Sequence, residues 1–407
     1  MTSARTAIVV GGGIAGPVAA LALRRAGIEA TVYEAYAETA DGVGGMLSVA
    51  PNGLDALRAV GAEEAVRAAA RPSARMVMTD GRGRRLSELP GLPGLPASQV
   101  LWRSDLYRAL HDHAVAEGVP VQTGRRLVAA EETAGGVTAH FADGSTASAD
   151  VLVGADGIRS TVRGLIDPAA PGPRHVPLLN FGALAGVQVP TDPETMYFAW
   201  GRRAFAGYWP HDEGTAWFAN VPHAAPMTAA EARRTSPAEW LARLREVYAG
   251  DVPAAELVRH TRPEDLQIFG TSEIMPPVPH WYRGRMVLVG DAVHAPSPSS
   301  GQGAALAAES AVQLARCLRD LPDVPSAFAA YEALRRARVE KVAARAARTN
   351  QSKGLGPAAR AVMGVIMPLA SRAFFTPEKA HGFEQRHHID WDAPVSAALT
   401  AVPPAKV

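Results

Sequence analysis

Three glycines near the start of the chain stand at the spacing of a dinucleotide-binding turn. Gly11, Gly13 and Gly16 follow the apolar run 6–10 in the pattern GxGxxG. In such a turn the first glycine permits the bend, the second lets a phosphate approach the backbone, and the third lets a helix pack against a strand. The helix N-terminus offers unpaired N–H groups to a pyrophosphate. Glu34, at the end of a second apolar run, could accept hydrogen bonds from both ribose hydroxyls of an adenosine.

Two later apolar runs also stop at an aspartate. Residues 151–153 lead into Gly-Ala and then Asp156-Gly157, and residues 286–289 lead into Gly290-Asp291. Runs of this kind are typical of buried parallel strands whose carboxyl ends meet a ligand. Taken alone, Asp156-Gly157 favours an ordinary turn.

A second glycine-rich entry to a helix follows the last of these runs. Gly301-Gln302-Gly303 precedes a helix predicted over 304–319, and it would again point backbone N–H groups at an electron-rich group. His294 lies between the two features without a histidine or carboxylate at ligand spacing. We therefore expect a structural hydrogen bond at His294 and no metal site.

The elements that position these residues follow from hydrophobic periodicity, which alternates between strand and helix. Strands are predicted at 6–10, 30–33, 46–50, 76–79, 99–102, 119–123, 127–130, 137–141, 146–149 and 151–153. Helices are predicted at 17–25, 52–60, 63–70, from 104 onward, 229–248, 304–319, 327–349 and 358–370, with a Pro/Gly-rich loop at 86–96.

Residues 178–221 have a different pattern, with alternating strands dense in aromatic side chains. This predicts an antiparallel sheet in which most rings form the core and a minority line a pocket for a flat apolar substrate. The candidates for the pocket wall are Phe181, Trp200, Tyr208, Trp209 and Trp217. The pair Arg202-Arg203 reads as a turn, so no arginine is expected among the core-facing rings, and a mostly neutral substrate is favoured. His211, Tyr208 and His175 are possible bases, but no catalytic residue is assigned.

Composition excludes several other classes of protein. The 407 residues carry a net charge of +1, which gives no field for nucleic acid, and the one cysteine, Cys317, excludes a disulfide framework. The apolar start of the chain could pass for a signal peptide, but its glycines and Pro17 are better explained by dinucleotide binding. The segment 358–370 is too short to span a bilayer. We expect a cytoplasmic protein without membrane insertion.

Taken together, the motifs resemble those of the single-component flavin-dependent aromatic hydroxylases, the group that includes p-hydroxybenzoate hydroxylase. The resemblance is carried by GxGxxG with Glu34, by Asp156-Gly157 with Arg159 and Ser160, by Gly290-Asp291, by Trp102-Arg103-x-x-Leu106-x-x-x-Leu110, and by Tyr208-Trp209-Pro210 with Trp217. It covers about residues 5–345.

The resemblance implies a set of FAD-binding residues. These are Gly11, Gly13, Ile14, Ala15, Gly16, Glu34, Ala35, Arg103, Leu127, Asp156, Asp291, Pro298, Gly301, Gly303 and Ala304. It places the ADP part of FAD on the first turn and Glu34, and the phosphate and adenosine region near Arg103. Asp156 would lie near the pyrophosphate, Asp291 would bond the ribityl chain, and Pro298 would lie against the flavin ring. Gly301–Ala304 would face the flavin N1–C2=O edge. Ala35 departs from the arginine that often follows the ribose-binding acid.

The resemblance also implies a fold and a reaction. The fold class is α/β: a Rossmann-like FAD-binding domain interwoven with an antiparallel-sheet substrate domain and followed by C-terminal helices. The expected division is 1–75, 100–175 and 280–325 for the FAD-binding domain, 76–99 and 176–279 for the substrate domain, and 326–407 for a C-terminal helical segment. NAD(P)H would reduce FAD, and O2 would form a flavin C4a-hydroperoxide that hydroxylates a bulky, mostly neutral aromatic small molecule.

Several alternatives remain open from the sequence. Epoxidation or Baeyer–Villiger oxidation of a non-phenolic substrate is the runner-up. A flavin reductase or dehydrogenase is less favoured because a second nucleotide motif is missing, and a flavin halogenase because its paired tryptophans and active-site lysine are not found. The remaining interpretation is a flavin-binding protein without catalytic activity. The expected assembly is a monomer or homodimer.

Overall fold

The computed structural model describes residues 4–37, 44–353 and 376–400. Its strands, in chain order, are β1 Thr6–Val10, β2 Glu29–Tyr33, β3 Met46–Val49, β4 Arg71–Ser73, β5 Arg75–Asp80, β6 Arg85–Pro90, β7 Ser98–Trp102, β8 Val121–Gln122, β9 Leu127–Glu132, β10 Val137–Phe141, β11 Thr146–Ala149, β12 Val151–Gly154, β13 Arg174–Ala185, β14 Thr195–Trp200, β15 Phe205–His211, β16 Gly214–Pro222, β17 Gln267–Ile274, β18 Tyr282–Arg283 and β19 Met286–Leu288.

The helices alternate with these strands in the first half of the chain and dominate its end. They are α1 Ala15–Arg25, α2 Pro51–Arg58, α3 Glu63–Ala68, α4 Arg103–Ala116, α5 Thr161–Ile166, α6 Ala229–Ala232, α7 Pro237–Val247, α8 Ala254–Arg259, α9 Gly303–Asp320, α10 Val324–Lys353, α11 Phe383–Gln385 and α12 Val395–Thr400. Short 3-10 turns lie at Pro263–Asp265, Gly290–Ala292 and Pro298–Ser300, and a π-helical turn at Glu378–Gly382.

A six-stranded sheet forms the first core, in the order β18-β19-β12-β1-β2-β8. Only β18 is antiparallel to its neighbour. The central strands of this sheet are almost wholly buried, which is expected for continuous apolar runs. A three-stranded sheet, β11-β10-β9, joins it through the stacked rings of Tyr33 and Phe141, whose centroids are 4.8 Å apart. The α/β fold class is therefore confirmed.

A seven-stranded sheet forms the second core, in the order β17-β13-β16-β15-β14-β5-β6. It is antiparallel except for the pair β14 and β5. Helices α6, α7 and α8 supply the apolar residues that cover one of its faces. A second three-stranded sheet, β3-β7-β4, contributes Met46 and Val100 to the cluster on the opposite face.

Two element predictions are wrong. The segment 86–96 is not all loop, because Leu86 and Leu89 alternate with exposed residues and are buried in β6, which pairs with β5. The single helix predicted over 229–248 is two helices. Ser236 caps α7 and Pro237 occupies its first turn, so the chain cannot continue the helix from α6.

The described C-terminal part is helical apart from an irregular stretch at 386–394. α10 packs against α9, and Arg319 reaches the backbone of Trp391 beyond it, with 2.6 Å from Nη1 to the carbonyl oxygen. The predicted helix 358–370 lies outside the described residues. Within the described ranges, no helix is long and apolar enough to cross a bilayer. The division of the chain into domains remains a prediction.

Candidate cofactor and substrate site

The motifs singled out in the sequence meet at one edge of the six-stranded sheet. The strands β2, β1, β12 and β19 are consecutive neighbours and parallel, so Glu34, the first glycine turn, Asp156 and Asp291 follow adjacent strand ends. A Cβ on Gly11 would lie 2.5 Å from the carbonyl oxygen of Ala155, so the first two motifs are in direct backbone contact. The carboxyl edge of such a sheet is where ligands bind.

The three motif positions differ in why a side chain is disfavoured there. A Cβ on Gly16 would stand 1.8 Å from the Gly11 oxygen, so Gly16 is required by the turn itself. A Cβ on Gly13 would meet only the Tyr107 ring, at 3.8 Å, which is ordinary contact. The protein therefore leaves space beside Gly13 that its own packing does not demand.

The same turn presents unpaired donors. Among the described residues, nothing accepts a hydrogen bond from the backbone N–H groups of Gly13, Ile14 or Ala15 at the start of α1. Glu34 accepts from the N–H of Gly12 at 2.6 Å and from that of Tyr36 at 3.0 Å. These two bonds orient the carboxylate beside the turn.

Arg103 and Asp291 are close enough at this edge for their charges to interact. Arg103 begins α4, and its buried Nε has no hydrogen-bond partner. Burial raises the pKa of Asp291, and the charge of Arg103 opposes that shift. No described residue donates a hydrogen bond to the Asp291 carboxylate. One donor and one acceptor group are thus left available at the same edge.

The Asp156 carboxylate accepts hydrogen bonds from residues that follow it closely in sequence. Its Oδ2 accepts from the N–H groups of Thr161 at 2.7 Å and Val162 at 3.1 Å, and so caps α5. Burial raises its pKa against these bonds. The carboxylate therefore shapes the loop between β12 and α5, and any approach to a pyrophosphate would come through that loop.

The N-terminus of α9 is a second cluster of free donors. Among the described residues, none accepts from the N–H groups of Gly303, Ala304 and Ala305. Gly301 turns the chain into this helix with a φ of +61°, and its Cβ would lie 3.0 Å from the Ser48 hydroxyl. The helix N-terminus also has a partial positive charge.

The other predicted cofactor residues are more scattered. Pro298 is exposed in the 3-10 turn before α9, and Ala35 is half-buried after β2. Leu127 is 4% exposed and belongs to the core between β9 and the parallel sheet, so only its backbone could meet a ligand.

The seven-stranded sheet separates the five pocket candidates onto two faces. Phe181 packs on Trp240 of α7 with centroids 5.1 Å apart, and Trp217 donates from Nε1 to the Thr261 hydroxyl at 3.0 Å. Tyr208 is buried on the same face. These three residues form the core under the helices, so their prediction as pocket wall needs correction. The role of Tyr208 as a base remains a prediction.

The opposite face carries the other two candidates. Trp209 packs there with Met196, and Trp200 lies edge-on to Phe205 with centroids 5.1 Å apart. The alternation of the four central strands places these residues on that face: Leu178, Asn180, Gly182, Leu184, Met196, Phe198, Trp200, Phe205, Gly207, Trp209, His211, Ala216, Phe218 and Asn220. None of them is a carboxylate, lysine or arginine, and Asp80, which pairs with Trp200 in the next strand, forms an ion pair with Arg84. Phe269, of β17, packs between Gly182 and Gly45, and so links this face to the loop beside Arg103.

Comparison with known proteins agrees with this geometry. Residues 4–346 match the family model of an FAD binding domain. An FAD-dependent urate hydroxylase of Klebsiella pneumoniae is 34% identical over 322 residues, covering 76% of this chain and 80% of that protein. The chain belongs to the family of single-component FAD-dependent aromatic hydroxylases.

Two further relatives support the assignment. The aurachin C monooxygenase/isomerase of Stigmatella aurantiaca is 30% identical, over 78% of this chain and 82% of its own. The crystal structure of Klebsiella pneumoniae HpxO complexed with FAD and uric acid superimposes with a TM-score of 0.80 at 28% identity, over 90% of this chain and 94% of that one. The protein is an FAD-dependent monooxygenase.

The pocket fits FAD on its own features. Two helix N-termini with free N–H groups suit a pyrophosphate and an electron-rich ring edge, and the space beside Gly13 would hold a phosphate. The unpaired Nε of Arg103 needs an acceptor from outside the chain. The contact that each residue makes with FAD remains a prediction.

Sequence analysis missed two residues that shape this pocket. Arg163 is buried and donates to the carbonyl oxygens of Ala292 and Ile158, both at 2.8 Å, so it ties the second motif to the third. The sequence carried no signal for this contact, because Arg163 and Ala292 are 129 residues apart. Tyr107 lies under the Arg103 guanidinium, 5.4 Å from Cζ to the ring centroid, and follows it by one helical turn.

Proposed function

We propose that this monooxygenase hydroxylates a flat, bulky and mostly neutral ring compound, with NAD(P)H as the electron donor and O2 as the oxygen source. The observation that carries the proposal is the uncharged, aromatic face of the seven-stranded sheet, which is continuous with the loop beside Arg103 through Phe269 and Gly45. A carboxylate substrate would need a cation on this face, since an unpaired charge in a dry pocket is costly.

The named activities of relatives support this choice in part. Urate, 6-hydroxynicotinate and 3-amino-4-hydroxybenzoate are the substrates in the names of three relatives, each at least 30% identical to this chain. All three compounds are flat rings. The two carboxylates among them would need a positive partner, and in its place the open face of this chain has Asn180 and Asn220, whose amide N–H groups already donate within the sheet.

FAD, when bound, supplies the redox chemistry that transfers one oxygen atom from O2 to the substrate. The chain itself would position FAD and the substrate, stabilise charge and exclude water from the site. Gly11, Gly13, Glu34 and Arg103 would hold the ADP half, and Asp291 would orient the ribityl chain. The free N–H groups of Gly303 and Ala304 would stabilise negative charge at an electron-rich edge of the bound ring.

The aromatic face has a second task, which is to exclude water. Phe198, Phe205 and Phe218 form one cluster, with Phe198 and Phe205 centroids 5.8 Å apart and Phe198 and Phe218 centroids 6.4 Å apart. Rings packed in this way would cover one side of a bound substrate. Exclusion of water limits side reactions of reactive oxygen species in such a site.

The test is substrate-dependent oxidation of NADH and of NADPH by the FAD-loaded enzyme. We expect neutral polycyclic phenols, indoles or polyketide-like rings to accelerate it, and simple benzoates to have little effect. Mass spectrometry of products made under labelled O2 should show one labelled oxygen per product. Stimulation by benzoates with micromolar affinity, without stimulation by neutral polycycles, would overturn the substrate assignment. Sustained NAD(P)H consumption without incorporation would indicate a reductase.

A further inference from the structure

A fully buried ion cluster lies behind the N-terminus of α9. Glu309 has 0% exposure, and its two carboxylate oxygens contact two arginines of α10. Arg335 Nη2 is 2.7 Å from Oε2, and Arg338 Nη2 is 2.8 Å from Oε1. Buried ion pairs add little net stability, because desolvation offsets the attraction, and apolar replacements are often neutral or better. Stability alone therefore does not account for this cluster.

The cluster is connected to the cofactor pocket by one side chain. Asn52, at the start of α2, donates from Nδ2 to Glu309 Oε1 at 2.6 Å and to Gln302 Oε1 at 2.9 Å. Gln302 is the residue immediately before α9 and is 5% exposed. We call Glu309, Asn52 and Gln302 the amide relay.

Close packing of α2 against α9 fixes the position of the amide relay relative to the helix. A Cβ on Gly53 would lie 2.9 Å from the Cα of Ala305, so α2 rests on the first turn of α9. Asn52 is 1% exposed and cannot exchange its partners for water. The direction of the free N–H groups in that turn is thus tied to the position of Glu309.

The charges around Glu309 do not cancel. Its carboxylate stays ionised, since Arg335 and Arg338 hold its pKa at about 2 although burial alone would raise it. His387 Nε2 lies 3.9 Å from the carboxylate, and burial lowers the pKa of this histidine to about 4. Two guanidinium groups therefore face one carboxylate at neutral pH, and the excess positive charge lies behind the helix N-terminus.

We propose that Asn52 and Glu309 are positioning residues for FAD, which aim the free N–H groups of α9 at the electron-rich ring edge and set the positive charge felt there. This proposal rests on the proposed function only in that FAD occupies the pocket described above. Neither residue touches the reacting atoms. Both act through Gln302 and the first turn of α9.

The test measures the FAD dissociation constant and the two-electron reduction potential of purified holoenzyme variants. Asn52→Leu keeps the volume and removes the relay. We expect FAD to bind about tenfold more weakly. The loss of affinity should be larger for reduced than for oxidised FAD, because the reduced form carries the negative charge. A tenfold loss in the affinity ratio of reduced to oxidised FAD lowers the potential by about 30 mV.

Glu309→Gln should move the potential in the opposite direction. It removes the negative charge but leaves both arginines, so reduced FAD gains stabilisation and the potential rises. Glu63→Gln is the matched control: Glu63 is 8% exposed and pairs with Arg58 at 2.6 Å and Arg67 at 2.7 Å, but it lies on α3, outside the relay. Its thermal stability should fall and its potential should stay at the wild-type value.

The outcomes separate this proposal from the proposed function. Potentials at the wild-type value in both relay variants, with only a loss of thermal stability, would overturn the positioning role. If Glu309→Gln does not fold, Asn52→Leu and Asn52→Asp decide the question, since both remove the donor and both should lower the potential. A wild-type protein that hydroxylates no ring compound but shows these shifts would leave the relay standing and remove the proposed function.

Discussion

A Cβ on Gly290 would stand 2.7 Å from the Cβ of Ala15, so the strand end that carries Asp291 packs directly on the first turn of α1. These two residues are far apart in the chain. Gly290 also has a φ of +60°, which disfavours any residue with a side chain. The contact sets the distance between Asp291 and the free N–H groups of the glycine turn.

Gly290→Ala should therefore separate the two halves of the FAD pocket. We expect at least a tenfold loss in FAD affinity, measured by fluorescence titration of the apoprotein, with a loss of thermal stability. Gly164→Ala is the control, because nothing lies within 4 Å of a Cβ there and alanine is favoured in a helix. Equal FAD affinity in both variants would show that this contact does not shape the pocket.

Gly13 and Gly16 provide a second comparison within one motif. Gly13→Ala has room in the empty pocket, where the Tyr107 ring is 3.8 Å away, so the apoprotein should keep its melting temperature and lose FAD affinity. Gly16→Ala would place a carbon 1.8 Å from the Gly11 oxygen and should destabilise the apoprotein itself. If Gly13→Ala binds FAD like the wild type, the phosphate does not lie beside Gly13.

How far the sequence could predict the pocket depends on the type of interaction. The strand ends bearing Glu34, Gly11, Asp156 and Asp291 were predictable, because long apolar runs identify buried parallel strands and their carboxyl ends share an edge. The Glu309 cluster was not, since its partners come from α2, α10 and the chain's end. No periodicity links residues so distant in sequence.

The two faces of the seven-stranded sheet show another limit. Strict alternation correctly predicts that neighbouring residues such as Tyr208 and Trp209 point to opposite sides. Both sides are apolar, however, and the helices that cover one of them lie between β16 and β17 in the chain. The sequence therefore could not tell which rings face α7 and which face the opposite side.

Buried neutral histidines should make the fold acid-sensitive. His294 Nε2 lies 2.8 Å from the Ser310 hydroxyl, and burial together with Arg335 lowers its pKa to about 3. Between pH 6.5 and 3 the unfolded chain binds one more proton at this residue than the folded chain does. The free energy of unfolding should thus fall by about 1.4 kcal/mol for each pH unit below 6.5.

The measurement is denaturant unfolding at pH 7.5, 6 and 5 for the wild type and for His294→Gln. Glutamine stays neutral, so the variant should lose less stability on acidification, by about 2 kcal/mol at pH 5. A residual slope is expected, because burial also lowers the pKa of His381 and His387 to about 4. Parallel pH profiles for the two proteins would contradict a buried neutral His294.

Trp209 and Trp217 test which face of the seven-stranded sheet binds the substrate. Both are almost fully buried, at 6% and 1% exposure, and they belong to adjacent strands on opposite faces. Trp217→Leu loses the hydrogen bond to Thr261 and part of the core under α7 and α8. We expect a cost of about 3 kcal/mol in unfolding free energy and an unchanged KM. Trp209→Leu should instead raise KM about tenfold and increase the hydrogen peroxide released per NAD(P)H consumed, because water enters beside FAD. The opposite result, with KM and peroxide release changing only in Trp217→Leu, would place the substrate on the face that the helices cover.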